Sequence, residues 1–311
     1  MKKRDLVSMA DLSAEEAEEV LNTADRLKTE LKKGKKHPAL SGKVMAMIFE
    51  KPSLRTRVTF ETGMFQLGGS TIYLAPADIG LGKRESVYDV AKNLERWVDF
   101  VMARVYSHQS VVELARHCSI PVINALSDHE HPCQALADFQ TIREKMGKLK
   151  GVQVVFIGDG FNMVSSLFLL GALTGTHVRL ACPKGYEPPK DIMSQALKLA
   201  KKSGARLEIE GDPNKAVRDA DIVYTDIWVS MGHEEETEKR LKDFKGYQVN
   251  AKLMSLAPKG ALFMHDMPAK RGLEVTDEVM DGPQSIIFDQ AENRLHAQKG
   301  LLVWLKEASK K

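Results

Sequence analysis

Short apolar runs alternate along this chain with longer segments whose apolar residues recur at helical spacing. The runs predict buried strands at residues 44–49, 71–74, 100–105, 121–126, 152–157, 177–182, 206–209, 221–225 and 261–265. The intervening segments predict helices. The first of these carries a capping box, formed by Ser13 and Glu16, and runs toward Gly34. Such alternation is typical of parallel, doubly wound sheets, so the pattern predicts the α/β class.

The junction after strand 44–49 has the most unusual chemistry. Pro52 cannot sit in a central strand, and a helix is predicted to begin at Leu54 and to end at the glycine pair 68–69. The polar side chains at its start are Ser53, Arg55, Thr56 and Arg57. Because the helix dipole disfavours cations there, the cluster indicates a bound polyanion such as phosphate. The alternative is a capped helix with exposed arginines, some of them paired to carboxylates.

Other polar residues are expected at the carboxyl ends of strands, where α/β sheets bind ligands. Arg104 ends one apolar run, and it is either a second phosphate-binding arginine or one half of a salt bridge. Asn162, Asp226 and Ser230 follow strands in the second half of the chain. This distribution of charge suits a phosphorylated donor on one side and a zwitterionic acceptor on the other.

Two further patterns suggest cofactors but are incomplete. Gly158-Asp159-Gly160 resembles the start of a dinucleotide fingerprint, but Met163 replaces its third glycine, so NAD binding is not expected. His129 and His131 are poorly placed to bind one metal ion, and no distant ligand pair completes a site. We therefore expect no metal.

Composition narrows the class of protein. With 43% hydrophobic and 28% charged residues the chain is an ordinary globular protein, and its 311 residues predict two domains. The net charge of +3 is small and mixed, which argues against a nucleic-acid partner. No apolar run is long enough for a membrane span, and Asp5 and Asp11 interrupt any signal peptide. A cytoplasmic protein is expected.

Five motifs in one order carry a family resemblance. They are S-L-R-T-R at 53–57, H-P-C-Q at 131–134, G-D-G-F-N-M at 158–163, D-I-W-V-S-M-G at 226–232 and Q-A-E-N-R at 290–294. Over essentially its whole length the chain resembles the aspartate and ornithine carbamoyltransferases, and the segment 226–232 is similar to the ornithine-binding loop. The implied reaction transfers the carbamoyl group of carbamoyl phosphate to the side-chain amine of L-ornithine, giving L-citrulline and phosphate without a cofactor.

The resemblance also implies roles for individual residues. For carbamoyl phosphate it implies Ser53, Leu54, Arg55, Thr56, Arg57, Arg104, His131, Gln134 and Arg294. For ornithine it implies Asn162, Asp226, Ser230 and Met231. We also expect Asp266 and Met267 at this site, because they follow the predicted strand 261–265 at its carboxyl end. The residues expected to take part in the reaction itself are Thr56, Arg104, His131 and Asp266.

The expected organisation has two doubly wound domains with the active site in the cleft between them. Residues 1–134 would bind carbamoyl phosphate and 135–150 would form a linking helix. Residues 151–288 would bind ornithine, and 289–311 would form a C-terminal helix that packs back on the first domain. The resemblance further implies a homotrimer or a multiple of trimers.

Two positions depart from the family pattern. Leu54 stands where a threonine is common, which is tolerable if only its backbone N–H is used. Asp266 stands where the family usually has a cysteine beside the ornithine side chain, and it either accepts the amine proton or merely caps the turn before Pro268. The alternatives are therefore a sister carbamoyltransferase that uses another amine, such as putrescine, and a non-catalytic regulatory protein that binds carbamoyl phosphate.

Overall fold

The computed structural model describes residues 3–230 and 232–309 and divides the chain into two compact units. The first unit comprises Met1–Gln140 and Glu292–Lys311, and the second comprises Thr141–Ala291. Each contains one parallel sheet with surrounding helices. The predicted α/β class with two parallel sheets is confirmed.

The first unit contains a four-stranded sheet in the order β2-β1-β3-β4. Its strands are β1 Val44–Phe49, β2 Ser70–Leu74, β3 Phe100–Arg104 and β4 Val122–Leu126. The helices that begin in this unit are α1 Ala14–Lys32, α2 Leu54–Gln66, α3 Pro76–Ile79, α4 Val87–Trp97, α5 His108–His117 and α6 Pro132–Met146. Strand order reverses between β1 and β3, and such a switch point is where doubly wound sheets bind ligands.

The second unit contains a five-stranded sheet in the order β7-β6-β5-β8-β9. Its strands are β5 Gln153–Ile157, β6 His177–Ala181, β7 Leu207–Glu210, β8 Ile222–Thr225 and β9 Leu262–His265. The helices that begin here are α7 Asn162–Thr174, α8 Lys190–Ser203, α9 Pro213–Ala216, α10 Thr237–Asp243, α11 Ala251–Met254, α12 Asp277–Met280 and α13 Ile287–Ala308. The switch point lies between β5 and β8.

Local signals explain why the elements near the site form. The Ser13 hydroxyl accepts the N–H of Glu16 while the Glu16 carboxylate accepts the N–H of Ser13, which is the predicted capping box of α1. Phe60 and Met64 on α2 and Leu67 at its C-terminal cap are fully buried, as their spacing predicts. This apolar stripe fixes the helix against its sheet and thereby fixes the direction of its N-terminus.

Two local features were not predicted from the sequence. Helix α3 forms because Pro76 opens the turn and the Asp78 carboxylate accepts the N–H of Ala75. Within the charged segment 233–245, Arg240 and Phe244 are buried. The C-terminal helix was expected at 289–311, but it begins two residues earlier, at Ile287.

None of the helices in the described part of the chain combines the length and the apolar character that a membrane span requires.

Candidate active site

The N-terminus of α2 has the features of an anion-binding site. Ser53 is extended (φ −160°), and its Oγ accepts the N–H of Thr56 at 3.2 Å. That cap satisfies one N–H, and the other N–H groups of the first turn stay available to an anion. Leu54 is 74% exposed, so only its backbone N–H can serve such a site.

Two arginines from distant parts of the sequence meet at the Thr56 hydroxyl. Arg104, the last residue of β3, donates from Nη1 to Thr56 Oγ1 at 3.4 Å. Arg294, on α13, donates from Nη2 to the same oxygen at 3.0 Å and from Nη1 to Gln134 Oε1. Gln134 Nε2 in turn donates to Asp138 Oδ1 at 2.8 Å. All of these side chains are buried, so their positions are fixed before any ligand arrives.

His131 belongs to the same cluster and is neutral at pH 7. Burial, together with the charges of Arg294, Arg104 and Arg55, holds its pKa well below the usual value. A neutral imidazole keeps one N–H, so His131 can donate a hydrogen bond to a carbonyl oxygen. We call Arg55, Thr56, Arg104, His131, Gln134 and Arg294 the cationic cluster.

Arg57 faces a different direction from the cationic cluster. Its Nε donates to Glu61 Oε1 at 3.0 Å, and its guanidinium stacks over the Tyr73 ring at 3.9 Å. The side chain is about half exposed. Arg57 is therefore an exposed arginine paired to a carboxylate, Glu61, as the alternative of a capped helix with exposed arginines predicts.

In the second unit, Asn162, Asp226 and Ser230 lie just beyond strands β5 and β8. Asn162 is the first residue of α7 and is largely buried, as is Ser230. Asp226 directly follows β8, and its Oδ1 accepts the N–H of Ile227 at 2.7 Å. Met231 lies outside the described residues.

Asp266 is close to Asp226, at the end of β9. The two carboxyls share a hydrogen bond, and burial raises the pKa of Asp226. The ligand atoms of Asp226, His265 and Asp266 all lie within 4.8 Å of one another, and we call these three residues the acidic cluster. Carboxyls at such distances share protons, so the cluster can accept one from a ligand. The cluster has the oxygen and nitrogen atom types that bind metal ions, but both ring nitrogens of His265 are engaged in hydrogen bonds.

Buried neighbours that sequence reasoning missed hold this cluster in place. The N–H of Met267 donates to His265 Nδ1 at 2.9 Å, which puts the ring proton on Nε2, where Glu274 Oε1 lies at 3.3 Å. Met267 adopts a left-handed conformation with φ 58°. Gln290 Oε1 accepts the N–H of His265 at 2.9 Å. Glu274 occupies a segment without a recognised motif, so only its contact reveals it, whereas Gln290 opens the motif at 290–294 without having been assigned a role.

The chemistry of the two groups is complementary. The cationic cluster beside a helix N-terminus suits a phosphorylated ligand that also carries a carbonyl group. The acidic cluster suits a ligand with amino groups, and it can remove a proton from one of them. Together these are the requirements of a transfer from an acyl phosphate to an amine.

Comparison with known proteins agrees with this chemistry. Residues 4–144 match the family described as aspartate/ornithine carbamoyltransferase, carbamoyl-P binding domain, and residues 150–305 match its Asp/Orn binding domain. The ornithine carbamoyltransferase of Pyrococcus horikoshii is 51% identical over 305 residues, which is 98% of this chain and 96% of that protein.

Solved structures give the same result. The ornithine carbamoyltransferase of Pyrococcus furiosus superposes with a TM-score of 0.94 at 51% identity, covering 96% of both chains. The anabolic ornithine carbamoyltransferase of Campylobacter jejuni has a TM-score of 0.93 at 40% identity and covers 98% of this chain and 99% of its own. This chain therefore belongs to the aspartate/ornithine carbamoyltransferase family.

Proposed function

We propose that this protein transfers the carbamoyl group of carbamoyl phosphate to the side-chain amine of L-ornithine, giving L-citrulline and phosphate. The observation that carries the proposal is the meeting of Arg104 and Arg294 at Thr56, beside the capped N-terminus of α2. Relatives about 50% identical over nearly the whole chain are named ornithine carbamoyltransferase, which supports ornithine as the acceptor. One of them is named the anabolic enzyme, which supports citrulline formation as the working direction.

The cationic cluster would bind and polarise the donor. The backbone N–H groups of the first turn of α2 that the Ser53 cap leaves available, together with the Arg55 side chain, would hold the phosphate. Thr56, Arg104 and neutral His131 would direct donors at the carbonyl oxygen, where negative charge develops during attack. Gln134 would contact the carbamoyl amide, and Arg294 would bridge Gln134 and Thr56.

The acidic cluster would bind and activate the acceptor. Asp226 and Ser230 would hold the α-ammonium group, and Asn162 would contact the amino-acid backbone atoms, with Met231 and Met267 completing the pocket. Asp266 would take a proton from the side-chain ammonium, because only the neutral amine is a nucleophile. Two carboxyls also disfavour aspartate, whose own carboxylates they would repel.

The reaction then follows in one addition and one elimination. The amine nitrogen forms a bond to the carbonyl carbon, and its second proton passes to the acidic cluster or to the departing phosphate. The bond between the carbonyl carbon and the phosphate oxygen breaks, and phosphate leaves with the electron pair. Positioning of the two reactants supplies much of the rate.

The test is citrulline or carbamoyl-amine formation from carbamoyl phosphate with ornithine, putrescine, lysine, aspartate and N-acetylornithine compared side by side. We expect a clear preference for ornithine. Preference for putrescine or another amine would replace the proposal with a sister activity. Carbamoyl-phosphate binding without turnover of any amine would favour the regulatory protein.

We further propose a homotrimer in which an exposed apolar face of the first unit is covered. Leu54, Val58 and Phe65 on α2 and Ile72 on β2 are 49–80% exposed, which is unusual for large apolar side chains so close together in the sequence. Phe65→Glu is expected to shift the mass measured by light scattering from trimer toward monomer. The matched variant Phe288→Glu, at another 70% exposed phenylalanine, should leave the mass unchanged. If the Phe65→Glu variant remains a trimer, the subunit interface must lie on another face of the protein.

A further inference from the structure

Arg240 is a buried arginine in a segment that otherwise reads as surface. It lies on α10, is 5% exposed, and follows a run of acidic residues. Its Nη1 donates to Asp159 Oδ2 at 2.6 Å and to the backbone carbonyl of Trp228 at 3.1 Å. Its Nε donates to Glu236 Oε2 at 2.8 Å. The guanidinium is therefore held by three acceptors in fixed directions.

Two of these acceptors belong to the segments that carry the proposed acceptor-binding residues. Asp159 lies in the turn after β5, three residues before Asn162, and its carboxylate also accepts the N–H of Phe161. Trp228 lies in the segment after β8, midway between Asp226 and Ser230. A single guanidinium thus bridges the turn before Asn162 and the segment that contains Asp226.

We propose that Arg240 is a positioning residue for the amino-acid acceptor, acting by bracing these two segments at a fixed separation. The inference deepens the proposed function and rests on it for the identity of the acceptor. We call the contacts of Arg240 with Asp159 and Trp228 the brace. Small displacements of the groups that position a substrate slow its reaction steeply. Loss of the brace should therefore raise the KM for the acceptor far more than the KM for the donor.

The turn that carries Asp159 is closely packed against residues 186–188. The N–H of Gly160 donates to the carbonyl of Tyr186 at 2.7 Å, and a Cβ at position 160 would lie 2.4 Å from the nitrogen of Pro188. Burial raises the pKa of Asp159 to about 6, and the hydrogen bond and charge of Arg240 act in the opposite direction. Arg240 therefore keeps the carboxylate ionised near neutral pH, where its hydrogen bonds are strongest.

The second unit contains a matched control for this ion pair. Arg179 on β6 donates from Nε to Glu208 Oε2 at 2.8 Å and also pairs with Asp219. Its side chain is 15% exposed, so it too is largely buried. Neither Glu208 nor Asp219 lies on a segment with a proposed acceptor residue. Removal of Arg179 should therefore show how much the loss of a largely buried ion pair alone destabilises this unit.

The experiment compares Arg240→Gln, Asp159→Asn, the double variant and Arg179→Gln in steady-state kinetics with both substrates. We expect Arg240→Gln to raise the KM for ornithine by roughly tenfold or more and the KM for carbamoyl phosphate by less than about twofold. The double variant should be no worse than Arg240→Gln, because a neutral amide pair can replace part of the contact. Arg179→Gln should lower the melting temperature without changing the KM for ornithine. Equal effects of Arg240→Gln and Arg179→Gln on this KM would overturn the proposal, as would equal effects on both substrates.

A second measurement keeps the brace testable whatever the activity. Amide hydrogen exchange of Arg240→Lys should rise in residues 158–162 and 226–230, and in Arg179→Lys it should not. Unchanged exchange in those segments would refute the brace even if kinetics changed. A wild-type protein that forms no citrulline would refute the proposed function instead, and the exchange result would still decide whether the brace exists.

Discussion

At the scale of single residues, the most consequential feature is the Asp266 carboxylate, at the position where the family resemblance leads us to expect a cysteine. Asp266 shares a hydrogen bond with Asp226 and lies within the acidic cluster. The N–H of Met267 donates to His265 Nδ1 and not to Asp266. The position of Asp266 therefore favours contact with the amine of the acceptor.

Removal of the Asp266 carboxylate should impair chemistry more than donor binding. Asp266→Asn keeps the shape but cannot accept a proton, so we expect kcat with ornithine to fall by roughly 10²-fold or more. Asp266→Cys should retain more activity than Asp266→Asn, since a thiol can still take part in proton transfer. Initial-rate measurements across pH 6–9 check both. The control is Asp281→Asn, a surface carboxylate paired with Arg271. Equal activity of the wild type and Asp266→Asn would leave Asp266 as a structural residue.

The arginines near the donor site should not contribute equally. Arg104 is buried and contacts Thr56, whereas Arg57 is committed to Glu61 and Tyr73. Arg104→Gln should weaken carbamoyl-phosphate binding by roughly a hundredfold, because a charge-assisted hydrogen bond contributes about 1.5–3 kcal/mol. Arg57→Gln should weaken it by less than about fivefold. Calorimetric titration with carbamoyl phosphate measures both, and equal losses would show that Arg57 turns toward the ligand.

At the scale of elements, the predictions that succeeded were those based on sequence signals within or beside the element itself. Helix α2 was predictable because its cap, its apolar spacing and its terminal glycines are all encoded within a few residues of the helix itself. The burial of Arg240 could not be predicted, because its partner Asp159 is 81 residues away in the sequence. The residues around α10 contain no signal for this contact. Glu274 escaped detection for the same reason, because only its contact with His265 reveals it. Polar residue types at strand ends predict where a site lies, but the residues that contact them are known only from the folded structure.

The turn after β5 gives an element-scale prediction that has a control within the same unit. Gly160→Ala would place a methyl group 2.4 Å from the nitrogen of Pro188, so the turn must move. We expect a loss of about 1–3 kcal/mol in the free energy of unfolding and a higher KM for ornithine. Gly211→Ala, where nothing lies within 4 Å of the new methyl group, should be neutral within about 0.5 kcal/mol. Denaturant titration and kinetics check the pair, and an unchanged Gly160→Ala protein would contradict the close approach.

At the scale of the whole molecule, each unit places its polar groups at the switch point of its own sheet. The first unit collects cations beyond β1 and β3, and the second collects carboxyls beyond β5, β8 and β9. This division of charge follows from topology, since only the carboxyl ends of neighbouring strands bring distant residues together. The first unit also contains two buried histidines with lowered pKa values, His131 and His296, and they make the stability of that unit dependent on pH.

His296 on α13 should be a main source of acid sensitivity. Burial and the nearby charges of Lys28 and Lys299 lower its pKa to about 4, although Glu292 opposes the shift. Lys28 Nζ donates to Asn293 Oδ1 and Lys299 Nζ to Gln66 Oε1, so both cations are fixed beside it. The unfolded chain would protonate this histidine near pH 6.5, whereas the folded chain would not until about pH 4. Stability is therefore fully present above pH 6.5 and is lost as the pH falls toward 4.

His296→Gln should flatten this dependence. In the wild type we expect the free energy of unfolding to fall between pH 6.5 and 5, with His131 adding to the slope because its pKa is lowered in the same direction. His296→Gln should lower the slope of the free energy of unfolding against pH by roughly the contribution of one bound proton. His177→Gln, at a less buried histidine of the second unit, should lower it by less. Denaturant unfolding at half-unit pH steps measures the slopes. Identical slopes in the wild type and His296→Gln would mean that His296 charges freely in the folded protein, and that the cations at Lys28 and Lys299 are screened from it.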